Sequence, residues 1–174
     1  LPLLSLFYLG ALLIGAAGLF SAYQLWRWAQ AAENAWLKLL SYGLSLWGLL
    51  WWFGGGAEAI VETIGAPYRV TGVVFFFALS GIGGELIGQW LWSRGAWFAP
   101  RLPLILLWPL LLALAVLQLV EAPHHFAGIG WLAWPVALAA HYWMLQRHTG
   151  EQRLPAVWWP LSHAAGLWLF AFVV

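Results

Sequence analysis

Cysteine is absent from all 174 residues, which excludes disulfides, thiolate nucleophiles and sulfur-ligated metals and leaves the redox compartment unmarked. Charge is nearly as scarce. Lysine and arginine number 7 and acidic residues 6, together 7% of the chain, where a soluble domain carries roughly a quarter. The net charge is +1, and no basic run exists that could neutralise phosphates, so nucleic acid is not an expected partner. Enzyme signatures are missing too: there is no zinc-protease histidine pair, nucleophile elbow, phosphate loop or complete dinucleotide fingerprint. No cofactor is expected.

What the chain has in excess is apolar surface: 64% of its residues are hydrophobic and 16 are tryptophan. A soluble globule of this length buries roughly 70% of its unfolded-chain surface and must still present abundant polar side chains to water. Too few are available, so lipid is expected outside. Crossing about 30 Å of hydrocarbon takes roughly 20 apolar helical residues. Runs of that kind predict an all-α polytopic transmembrane helix bundle, one domain with six spans at 3–26, 37–57, 70–92, 102–120, 126–146 and 156–174. The chain opens on Leu1 with no basic stretch before the first apolar run, and it is expected to be a fragment of a longer polypeptide.

Basic residues remain on the cytoplasmic side of short loops. Arg27, Lys38, Arg94, Arg101, Arg147 and Arg153 fall in the first, third and fifth links, and only Arg69 in the second and fourth. Both ends are therefore expected outside, with Glu58, Glu62 and Glu121 on that outer side. Trp26, Trp28, Trp36, Trp90, Trp92, Trp97, Trp158 and Trp159 fall near the inner interface, the amphipathic zone that indole prefers.

Ionisable groups inside a membrane cost roughly 2.5 to 3.5 kcal/mol each on insertion scales, so each needs a partner, water or a function. Glu85, His141 and His163 are three such groups. At 1.5 Å rise per residue they come to roughly 9 to 12 Å depth in the inner half of the bilayer. Two readings follow. They converge between the third, fifth and sixth spans as a proton relay or polar substrate site, or each makes a single interhelical hydrogen bond worth about 0.6 kcal/mol. Gln89, one turn from Glu85 on the same face, extends a polar seam under either reading. Ser80, Gly84 and Gly88, with Ala11 and Gly15 in the first span, put small residues at every fourth position, which suits close helix packing.

On the outer side, Glu58 and Glu62 share a helix face, and Glu121 with His124 has the three-residue spacing of carboxylate–histidine metal sites. These four are a candidate set for a divalent metal. Pro123 lies inside the second pair and disfavours the regular helix that would align it. Gly54, Gly55 and Gly56 are read as a frayed end of the second span. Pro109, Pro135 and Pro160 are read as bends in the fourth, fifth and sixth. The turn 66–72 matches 122–128 at alanine, proline and glycine with an offset of 56, which sets Glu85 opposite His141; tandem hairpins would produce this pattern, as would chance.

The stretch Trp47, Gly48, Leu49, Leu50, Trp51, Trp52, Phe53, Gly54, Gly55, Gly56, Ala57, Glu58, Ala59, Ile60 and the stretch Gly130, Trp131, Leu132, Ala133, Trp134, Pro135, Val136, Ala137, Leu138, Ala139, Ala140, His141 resemble the C-terminal part of a family of large bacterial predicted membrane proteins, classed as a domain of unknown function. The resemblance implies a bacterial cytoplasmic (inner) membrane, a parent chain several times longer, and further transmembrane helices of that chain or an oligomer as partners beside the lipid bilayer. It carries over no catalytic residue. Three functional classes remain open: a non-enzymatic multi-pass module, a transporter or proton or solute permeation unit built on Glu85, His141 and His163, and an intramembrane enzyme acting on a lipid or glycan.

Overall fold

A computed structural model describes residues 5–92, 102–121, 124–148 and 157–173. All the regular structure among them is helical. The six helices are α1 (Leu6–Ala31), α2 (Ala35–Thr63), α3 (Arg69–Trp92), α4 (Leu102–Glu121), α5 (Gly130–His148) and α6 (Trp158–Val173), with a short 3-10 turn at Ala66–Tyr68 before α3. Three segments, Leu6–Ala31, Ala35–Thr63 and Ala66–Trp90, are long and apolar enough to cross a membrane; Ile105–Val120 and Trp159–Val173 are shorter apolar helices. Arg94, Trp97, Arg101, Pro123 and Arg153 and the side chains of Trp92, Glu121 and Trp158 lie outside the described residues.

The link expected over residues 27–36 is much tighter than the sequence suggests. Helix α1 runs on to Ala31, and the Asn34 amide bonds back to the Ala29 carbonyl at 3.1 Å. Between them Glu33 adopts φ 49°. This is the left-handed C-terminal stop that glycine usually occupies. The Asn34 side chain then accepts from the amides of Trp36 and Leu37 and starts α2.

The α1–α2 hairpin closes on small residues. Helix α1 buries Ala11, Gly15, Gly18 and Ala22, and α2 buries Ser41, Ser45, Gly48 and Gly55, in steps of three, four and seven that keep one seam facing its partner. The backbones touch there: a Cβ added to Gly15 would lie 2.9 Å from the Gly48 carbonyl oxygen, and one added to Gly48 2.8 Å from that of Gly15. At the turn end the Ser41 hydroxyl donates to the Ala22 carbonyl at 2.7 Å.

The second span does not fray at its glycines. Helix α2 continues six residues past the expected end, to Thr63, because Gly56 is the notch into which α3 fits. The Phe76 ring occupies the space where a Gly56 side chain would be. Phe76 also meets Tyr8 of α1 edge-on at 6.1 Å and Phe53 of α2 at 6.5 Å, and Phe53 meets Phe77 at 5.1 Å. This aromatic knot ties the hairpin to α3. Further contacts pair Ile60 with Gly72 and Trp52 with Ser80, so α2 and α3 run antiparallel.

Helix α3 is the centre of the bundle, with Val70, Val73, Val74, Phe77, Ala78 and Gly81 all buried. Helices α3 and α5 run parallel: Thr71 lies against Gly130, Gly81 against Met144 and Glu85 against His148. Helix α6 returns antiparallel to α5, with Phe172 against His125 and Ser162 against His141. Pro109 and Pro135 lie within α4 and α5, and each withholds one helical amide. Pro160 does not bend α6; it sits in the first turn of Trp158–Val173, where a missing N–H costs nothing.

The surface is inverted relative to that of a water-soluble fold. Leu6 (89%), Val120 (83%), Trp168 (76%) and Leu13 (73%) are largely exposed, whereas Glu85, Gln118, His125, His141, His148 and Ser162 are each 4% exposed or less.

Candidate functional site

The polar groups gather on one face of α5. Trp134, His141 and His148 are spaced seven residues apart and all buried, which is two helical turns, or about 10.5 Å, per step. Seven residues return the helix to nearly the same direction, so the three side chains form a column of roughly 21 Å.

At the C-terminal end of this column His148 Nε2 lies 2.8 Å from Glu85 Oε2, and Gln89 donates to Glu85 Oε1 at 3.0 Å. Both carboxylate oxygens of a side chain only 2% exposed are thereby satisfied. This arrangement corrects the expected pairing of Glu85 with His141. Helix α5 begins at Gly130, one turn later than its predicted start at 126, because residues 124–129 form a turn around Gly128, whose φ of 58° suits glycine. The register between α3 and α5 is 63 at Glu85, two turns beyond the sequence offset of 56, and the partner is His148. His148 was hidden from sequence reasoning because the fifth span was expected to end at Gln146.

In the middle of the column His141, 2% exposed, faces α6. Its Nε2 is 3.4 Å from the Ser162 carbonyl oxygen, and Gly166 leaves room for the ring. A carbonyl can only accept, so Nε2 carries the hydrogen and Nδ1 is a bare acceptor. Neither His141 Nδ1 nor the Ser162 hydroxyl has a hydrogen-bond partner among the described residues. His163 does not join Glu85. It is exposed, and its neighbour Ser162 is the residue that meets His141.

At the N-terminal end of the column Trp134 Nε1 donates to Gln118 Oε1 at 2.7 Å, and Gln118 Nε2 donates to the His125 carbonyl at 3.1 Å. His125 Nε2 in turn donates to the Ala115 carbonyl at 2.9 Å, and its ring stands edge-on to Trp134 at 5.5 Å. Gln118, a lone amide within an apolar run, was the one signal in the sequence that could have exposed this cluster.

Of the four residues considered for a metal, the three whose side chains are described form no cluster able to hold one. Glu58, Glu62 and His124 are exposed, and the Glu121 side chain lies outside the described residues. No group of three or more His, Cys, Asp or Glu able to hold a metal occurs among the described residues. Glu58 stands at the rim of a shallow groove with Phe7, Trp47, Trp51 and Gly54. The packing stripe divides between neighbours: Ser80 accepts from Trp52 Nε1 at 3.2 Å, Gly84 is half-buried and Gly88 buried.

Compared with family models, with curated proteins and with solved structures, the chain gives no significant match.

Proposed function

We propose that the chain is a multi-pass integral membrane protein of a bacterial cytoplasmic membrane, a non-enzymatic helical module that spans the bilayer six times. The inverted surface carries this reading: apolar side chains such as Leu6, Leu13 and Trp168 face out, and carboxylate, imidazole and amide groups face in. In water that arrangement would leave large apolar patches unsolvated; in lipid it is the arrangement of lowest cost. The Glu85–His148–Gln89 cluster then fixes the register of α3 against α5. The tryptophan- and glycine-rich stretches 47–60 and 130–141 resemble parts of large bacterial membrane proteins, and further helices of such a parent chain or an oligomer are the partners that fit the exposed face.

The antiparallel course of α1, α2 and α3 supports alternating passes, with the N-terminal end of α1 and the C-terminal end of α6 outside. Exposed Trp28, Trp36 and Trp90 gather at the same end of the bundle as Arg27 and Lys38, which suits an inner interface. The cysteine-free sequence makes the test direct. Single cysteines replacing Glu62 and Arg147 are probed with a membrane-impermeant maleimide in intact cells: E62C is expected to label at once, and R147C only after permeabilisation. Extraction of the protein from membranes by alkaline carbonate would overturn the reading.

A further inference from the structure

We infer that the buried face of α5 carrying Trp134, His141 and His148 is a proton pathway through the bundle, an inference that rests on the membrane reading above. Three observations converge on it. First, the column has exchangeable groups at three levels, namely Glu85 with His148, His141 with Ser162, and His125 with Gln118, over roughly two-thirds of a 30 Å hydrocarbon core. Second, both of its ends reach exposed polar groups: Gln89, exposed beside Glu85, at one, and His124, exposed beside His125, at the other. Third, its middle holds two buried polar atoms, His141 Nδ1 and Ser162 Oγ, with no protein partner among the described residues. A buried acceptor left unpaired costs about 1 to 3 kcal/mol, and a donor and an acceptor in one helix interface are what a transient water would bridge.

The chemistry needs only proton exchange. A neutral His141 takes a proton at Nδ1 from a protonated water, which is left neutral, and releases the one at Nε2 to a second water that takes the place of the Ser162 carbonyl as its hydrogen-bond partner, so the ring ends as its other tautomer with no change in charge; a ring flip resets it. Glu85 and His148 pass a proton along their existing hydrogen bond. The titratable groups around the column are Glu85 from α3, His125 from the turn before α5 and His163 from α6. The described part of α4 contributes Gln118 but no ionisable side chain, and Arg147 is turned outward over the Trp143 ring. Between His141 and His148 on this face lie the buried Met144 and Leu145, and the Met144 Cε lies 3.3 Å from the position a Gly81 Cβ would take. Methionine is the most adaptable of core side chains, and its movement is the step that would admit water between the two histidines.

The full chain is reconstituted in liposomes holding a pH-sensitive dye, and a potassium diffusion potential made with valinomycin drives protons inward. Proton entry at least ten-fold above protein-free liposomes is expected, falling about ten-fold in His141→Gln and in His148→Gln and rising several-fold in Met144→Ala, which widens the gap without removing an exchangeable group. Ser162→Ala, a minimal change in volume, is expected to lower the flux and serves if a histidine variant loses its helical circular dichroism. Flux no higher than in protein-free liposomes, or unchanged by His141→Gln, Ser162→Ala and Met144→Ala, overturns the pathway. Flotation separates the two ideas. Protein that floats with the liposomes but conducts nothing loses only the pathway, and protein that fails to float removes the membrane reading with it.

Discussion

The α1–α2 hairpin and the α3–α6 group solve the same packing problem with different means. In the hairpin, glycine, alanine and serine bring two backbones into contact, and the described seam buries no acidic or basic side chain. In the second region, Glu85, Gln118, His125, His141 and His148 are buried and hydrogen-bond between elements. On the proposed membrane reading, apolar burial gains little between helices surrounded by lipid, so close approach and hydrogen bonding are the two sources of adhesion left. The hairpin relies on the first and the remainder on the second. A polar network carries a vulnerability that a small-residue seam lacks, because losing one member strands another.

That contrast predicts the largest loss at the buried pair. Glu85→Ala leaves His148 Nε2 without its carboxylate and is expected to cost about 3 to 5 kcal/mol, whereas Glu85→Leu with His148→Leu recovers most of it; unfolding titrations in mixed detergent micelles would compare the three. If the single and double variants lose equally, the pair is not coupled. Next comes overpacking of the hairpin. Gly48→Leu would drive a side chain into the Gly15 carbonyl and is expected to cost about 2 to 3 kcal/mol, while Gly43→Leu, with nothing within 4 Å of its Cβ, should stay within about 0.5 kcal/mol. Equal melting temperatures for these two variants would argue against backbone contact at Gly48.

Smaller effects sharpen the picture. Ser41→Ala removes the hydroxyl that donates to Ala22 and should cost about 0.6 kcal/mol, the typical worth of an interhelical hydrogen bond in a membrane protein. Glu33→Gly works in the opposite direction. Glycine adopts the positive φ found at Glu33 without a steric penalty and is expected to stabilise the hairpin by about 0.5 to 1 kcal/mol, read as a raised melting temperature.

Much of the helical layout was legible from the residues, because a run of about 20 apolar positions has few other structures to adopt. Six helices lie where six runs were found, and three of them are long and apolar enough to cross a membrane. Boundaries were less legible. Helix α2 passes through Gly54–Gly56 because Phe76 fills the notch at Gly56, a contact made by a residue 20 positions away. Pro160 reads the same in sequence as Pro109, yet only its position in the first turn of α6 makes it harmless.

The candidate site shows the same division more sharply. Composition alone determined that Glu85 and His141 would be expensive and would need partners, since the cost of burying an ionisable group follows from its chemistry and the apolar run around it. It could not say which partners. That choice depended on the register of α5 against α3, which at Glu85 lies seven residues, or two turns, beyond the sequence offset and gave Glu85 to His148 and left His141 to Ser162. Chain order fixes which residues share a helix face, but the register between faces is set by turns and side-chain volumes, and those act together only in the folded bundle.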